Sequence, residues 1–110
     1  MNIQVFGKTK CFDTKKAQRY FQERNIKFQF VDILQKGLSK GEFTSICNAL
    51  GGVDKLIETN HKDYCMIAYL SAEDRMEKVM EEPKFYKTPI VRNGKLATIG
   101  YCPDIWKTWD

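Results

Sequence analysis

The stretch Gln4-Val5-Phe6-Gly7-Lys8-Thr9-Lys10-Cys11-Phe12-Asp13-Thr14-Lys15-Lys16-Ala17 decides how the rest of the chain is read. A short apolar strand turns through Gly7 and enters a helix that carries Cys11 at its first turn. The first turn of a helix leaves backbone N–H groups without intrahelical partners, and the aligned peptide dipoles place about half a positive charge there. That field favours the thiolate, the nucleophilic form of cysteine, over the thiol. Lys8 and Lys10 add positive charge within the same turn, and Asp13 opposes them slightly. The pattern marks Cys11 as a reactive thiol. Its plainer reading is a small apolar residue that closes the turn, since free cysteine is among the most buried residue types.

A chain of 110 residues fits one domain around one core and is too short for two. Hydrophobic residues at 43% and charged residues at 29% argue against disorder, and 13% aromatic residues supply large buried surfaces. No apolar run approaches the roughly 20 residues of a membrane helix. Met1 does not lead into a basic segment and an apolar run of the secretory type, so a cytoplasmic location is expected. The net charge of +4 is moderate and the basic residues are spread along the chain, which does not point to nucleic acid. Cys11, Cys47, Cys65 and Cys102 lack the paired short spacings of a zinc site, and His61 with Cys65 and Cys47 makes a poor ligand set. No metal is expected, and in a reducing compartment the four should be free thiols.

Residues 2–6 alternate with Ile3 and Val5 on one face, a strand. Over 12–24, Ala17, Tyr20 and Phe21 form the apolar side of an amphipathic helix, and 28–33 read as a second strand. A strand, a helix and a strand within this length make a βαβ unit with parallel strands. A mostly helical segment follows, at about 37–86. Ser39 with Glu42 is a capping box ahead of Phe43, Ile46, Cys47 and Leu50, and Gly51-Gly52 stops that helix. Ser71 caps a further helix with Met76, Val79 and Met80 facing inward, ended by Pro83. The mixture at 64–70 fits no periodicity. Residues 88–92 and 95–99 are strands joined by Asn93-Gly94, a strong hairpin signal. Pro103 opens a closing helix on which Ile105, Trp106 and Trp109 can pack against the sheet. The fold class is α/β, ordered βαβ, helical insertion, ββα, with a central four-stranded mixed sheet in a single domain over 1–110.

That order resembles the thioredoxin fold and, within it, the glutaredoxin-related arsenate-reductase-like group of ArsC reductases and Spx regulators. Three stretches carry the resemblance: "VFGKTKCFDTKKAQRYFQERNIKFQFVDI", the long helical insertion, and "PKFYKTPIVRNGKLATIGYCPDIW". The resemblance implies that Cys11 is the nucleophile. It implies that Pro89 follows a cis peptide bond, so that the Thr88 backbone lies beside the cysteine and can pair with an extended peptide such as glutathione. Lacking that, Pro89 simply opens an edge strand. Two departures bear on substrate. Where the reductases carry arginines before the third-strand proline and after the hairpin glycine, this chain has Thr88 and Tyr101. Oxyanion recognition relies on such planar multi-donor groups, which weakens arsenate as the substrate. Spx proteins carry a Cys-x-x-Cys pair, and here the second position is Thr14, so no disulfide can form within the first turn.

The expected chemistry is that of a monothiol oxidoreductase. Cys11 forms a mixed disulfide with an oxidised small thiol or protein, resolved by glutathione or another low-molecular-weight thiol, with no cofactor bound. Thr14 either donates its hydroxyl to the sulfur or serves as an ordinary first-turn cap. Cys102 either resolves Cys11, since its segment folds back beside the nucleophile in the group, or simply starts the last helix. Lys8, Lys10, Thr88, Pro89 and Tyr101 make up the expected substrate-binding set. The alternative from a different class is an Spx-like module that binds a protein partner, RNA polymerase in that group, without turnover.

Overall fold

Strand β1 (Ile3–Gly7) sits inside the sheet because it is apolar on both faces, with four of its five residues buried. The computed structural model describes residues 2–109. From β1 the chain passes through helix α1 (Phe12–Glu23) to strand β2 (Phe28–Asp32). The two strands pair in parallel, from Ile3 opposite Phe28 to Gly7 opposite Asp32. Helices α2 (Lys40–Leu50) and α3 (Ala72–Glu81) follow, with single 3-10 turns at Val53–Lys55, Tyr64–Met66 and Pro83–Phe85. Strands β3 (Ile90–Asn93) and β4 (Leu96–Ile99) form the hairpin, and the one-turn helix α4 (Pro103–Trp106) runs into a 3-10 turn at Lys107–Trp109. The sheet order is β2-β1-β3-β4, with β3 antiparallel to β1 and β4. This is the expected mixed four-stranded sheet.

Each face of the sheet carries its own core. Ile3, Val5 and Val91 point towards α1 and α4, where Phe21, Tyr20 and Trp106 cover them. Phe6 and Ile90 point the other way, towards Phe43 and Ile46 of α2, Val79 of α3 and the buried Tyr86. The local signals hold. Ser39 Oγ accepts the Glu42 N–H at 3.1 Å while Glu42 Oε1 accepts the Ser39 N–H at 3.0 Å, closing the capping box. Gly51 ends α2 at φ 88°, a left-handed conformation that favours glycine.

Two residues expected to face inward do not. Met76 is 38% exposed, because α3 buries only the stripe through Val79 and leaves the preceding turn at its rim. Ile105 is 48% exposed, because α4 has one turn and only Trp106 on it can reach the sheet. The third strand also begins later than residue 88, at Ile90, which leaves the Thr88 backbone outside the β3 ladder.

Candidate functional site

Cys11 is the N-cap of α1, one step ahead of the first turn, with extended backbone at φ −86° and ψ 121°. Its N–H donates to the Lys8 carbonyl at 3.0 Å, and its carbonyl accepts the Lys15 N–H at 3.2 Å. The thiol therefore sits where the strand hands over to the helix, half-buried, and points at Thr88: Cys11 Sγ donates to the Thr88 carbonyl oxygen at 3.7 Å. The Thr88–Pro89 peptide is cis, and the Pro89 carbonyl accepts the Gly100 N–H at 2.8 Å. The turn before β3 and the end of β4 are thereby tied together beside the cysteine.

Burial pushes the Cys11 thiol up, but the nearness of donors that favour the thiolate, the Thr14 and Thr88 side chains first and the N–H groups of Thr14 and Asp13 after them, holds it below the ordinary thiol range. Lys8 is the other half-buried charge. Its ammonium donates to the carbonyls of Lys84 and Tyr86, each at 3.1 Å, clamping the loop before Cys11 onto the chain that leads into Thr88. Burial lowers its pKa, with the charges of Cys11 and Glu58 acting in the opposite sense. Sequence reasoning saw the charge of Lys8 and missed the clamp, because both carbonyls lie far along the chain and main-chain acceptors carry no residue signature. Glu58 was missed as well. It lines a cleft of about 350 Å³ on the Thr88 side of the thiol, together with Asp13, Lys55, Lys87 and Gly100.

The remaining candidates are dispersed. Lys10 is exposed. Tyr101 lies along the flank of α1, edge-on to Trp106 at 5.7 Å and beneath the Lys16 ammonium at 5.8 Å. Cys102 is the N-cap of α4, and its thiol donates to the Ile99 carbonyl at 3.2 Å. Burial pushes the Cys102 thiol up and the charge of Asp13 adds to this, opposite in direction to Cys11. Cys47 is buried on α2, where desolvation pushes its thiol up, and Cys65 is exposed. Arg92 is engaged with Gln4 Oε1, Ser45 Oγ and the Gly94 carbonyl. His61 accepts the Asp63 N–H on Nδ1 and packs edge-on against Phe85. Among the described residues no three histidine, cysteine or acidic side chains gather as a metal set would.

A parallel β1–β2 pair with its crossover helix, an antiparallel hairpin beside it, and a cysteine capping the first helix against a cis-proline turn make up a thioredoxin-like fold. The solved structures bear this out. The chain overlays an arsenate reductase from Vibrio cholerae with a TM-score of 0.83 at 21% identity, covering 96% of this chain and 94% of that one. It overlays an ArsC family related protein from Bacteroides fragilis with a TM-score of 0.86 at 19% identity, covering 100% and 98%. At these identities the likeness is one of fold. In sequence the chain is similar to Global transcriptional regulator Spx 2 of Oceanobacillus iheyensis, 27% identical over 109 residues, 94% of this chain and 80% of that protein. No family model matches it. The chain is thus similar to Spx regulators in sequence and to ArsC proteins in fold. No helix is long and apolar enough to cross a membrane.

Proposed function

We propose that this chain is a monothiol thiol–disulfide oxidoreductase with Cys11 as its nucleophile. The observation that carries the reading is the placing of Cys11 Sγ at the α1 N-terminus against the Thr88 carbonyl, in a setting that lowers its pKa. The Cys11 thiolate attacks one sulfur of an oxidised partner R–S–S–R′. A Cys11–S–S–R bond forms, the R–S–S–R′ bond breaks, and R′S⁻ leaves and takes up a proton. A second thiol, glutathione or another small thiol, then attacks as thiolate the sulfur carried by R and returns Cys11 as thiolate. The net exchange turns R–S–S–R′ and one external thiol into R′SH and a disulfide between R and that thiol, which is glutathione disulfide where both R and the resolving thiol are glutathione. Resolution falls to an external thiol because the Cys102 thiol is held by Ile99 and shifted towards its protonated form. The cleft at Thr88 mixes two ammonium groups with two carboxylates and contains no arginine. That supports a zwitterionic thiol there over an oxyanion.

The test is turnover of a glutathione mixed disulfide. It should be lost in Cys11→Ser and retained in Cys102→Ser. A second reading is favoured by the curated relative, a transcriptional regulator similar along most of this chain. On that reading the same thiol sets the state of a surface that engages a protein partner. A Cys11 that alkylates readily but supports no turnover would sink the enzyme and leave this second reading.

A further inference from the structure

Gly7 ends β1 with no left-handed backbone to explain it, since its φ is not among the positive values. What it supplies is space. A Cβ placed on Gly7 would stand 2.3 Å from Thr14 Cγ2, 2.6 Å from Thr14 Oγ1 and 3.0 Å from Thr14 Cβ, well inside van der Waals contact. Helix α1 thus approaches the strand through Thr14, which is 1% exposed. Thr14 is the third residue of α1, one turn on from the Cys11 cap. Its Oγ1 is buried and has no hydrogen-bond partner, alone among the buried side-chain polar atoms of the described residues. A helical threonine ordinarily bonds the carbonyl three or four residues back, so a buried hydroxyl left unpartnered calls for another use. The sulfur of Cys11, at the cap of the same turn, offers one. As a thiol it directs its proton to Thr88 and accepts weakly, whereas as a thiolate it is a charged acceptor.

We propose that Gly7 is a positioning residue for Cys11: the missing side chain at the end of β1 seats Thr14 so that its hydroxyl stays free to donate to the Cys11 thiolate. The electrostatics agree. Burial pushes the thiol up, and the nearness of the Thr14 hydroxyl comes first among the causes that bring it back down. The inference rests on the reading of Cys11 as a nucleophile but concerns its ionisation, so it stands or falls separately from turnover.

The experiment is the rate of Cys11 alkylation by iodoacetamide against pH, read by peptide mass spectrometry on the full chain, with circular dichroism to verify folding. Thr14→Val keeps the shape and removes the donor, and should raise the pH midpoint by about one unit, slowing alkylation below the midpoint about ten-fold. Thr14→Ser keeps the hydroxyl and should stay within about two-fold of the native rate. Gly7→Ala should shift the midpoint upward in the native background and add nothing in the Thr14→Val background. A folded Gly7→Ala with an unmoved midpoint overturns the proposal, as does a shift that persists undiminished in Thr14→Val. Should Gly7→Ala not fold, recovery of folding in Gly7→Ala/Thr14→Ala supports the seating contact, and its absence overturns it. Equal midpoints for Thr14→Val and Thr14→Ser overturn the donor role in either case. Loss of mixed-disulfide turnover with these midpoints as expected would instead remove the proposed function and leave the positioning intact.

Discussion

Cys11 and Cys102 carry the same group at the same kind of position, a helix N-cap, and are shifted in opposite directions. At Cys11 burial is outweighed by donors from Thr14, Thr88 and Asp13; at Cys102 burial is joined by the negative charge of Asp13. The signs follow. A thiol lowered in the fold contributes stability above its unfolded pKa and loses it as pH falls through the folded value. One raised in the fold contributes stability below its unfolded pKa and loses it as pH rises through the folded value. In a pH series of iodoacetamide labelling, Cys11 should therefore react first and Cys102 only at distinctly higher pH. A common onset for the two peptides would rule out the opposed environments. Much of Cys11 was legible in the sequence, because a glycine, two lysines and a helix start are all local. The difference from Cys102 was not. It depends on Thr88 at Cys11 and on burial and the Asp13 charge at Cys102, which reach these sulfurs through the fold and not along the chain.

Elements whose ends are fixed by their own side chains were the readable ones. Ser39 and Glu42 cap α2 reciprocally, Ser71 Oγ accepts the Asp74 N–H at the start of α3, and Asn93-Gly94 turns the hairpin. Residues 64–70 resisted because nothing periodic holds them. Their order comes from Arg75 on α3, which donates to the carbonyls of Ile67 at 3.5 Å, Ala68 at 3.2 Å and Leu70 at 2.9 Å. The same guanidinium pairs with Asp54 Oδ1 at 2.9 Å, in the turn that follows α2. One side chain so joins three consecutive pieces of the helical insertion, a rigid fork serving carbonyls that no helix or ladder satisfies. Arg75→Met keeps much of the stem and removes every donor. Its amides at Ile67, Ala68 and Leu70, which bond only within the turn, should exchange hydrogen at least about ten-fold faster while those of β1 stay unchanged. Uniform acceleration across the sheet would show that Arg75 acts on global stability instead. Met76 and Ile105 were misread for a related reason. Helical spacing tells which residues share a face, but how wide a stripe is covered depends on the partner element.

At the scale of the molecule, β1 is shared by both cores: Ile3 and Val5 serve the α1–α4 face, and Phe6 serves the face of α2 and α3. The site depends on both. Cys11 rides on α1, while Thr88 and the carbonyls that hold Lys8 belong to the chain packed under α2 and α3. The α4 end is fixed by Trp106, which is buried against Tyr20 and Phe21 with its Nε1 donating to Thr98 Oγ1 at 2.8 Å. Two layers joined through one central strand should unfold as one unit, since neither face keeps its apolar surface covered once β1 is released. Phe43→Ala tests this from the far side. Phe43 is fully buried on α2, and its truncation should cost about 3–5 kcal/mol, a large part of the roughly 5–15 kcal/mol of a small domain. Both tryptophans, Trp106 and Trp109, pack with the opposite face. In urea the midpoint read by tryptophan fluorescence should therefore fall as far as the midpoint read by far-ultraviolet circular dichroism, although no tryptophan belongs to the cluster around Phe43. If fluorescence kept its native midpoint while the helical signal moved, the two faces would be separate cooperative units. The Cys11–Thr88 contact would then be a junction between independently stable halves.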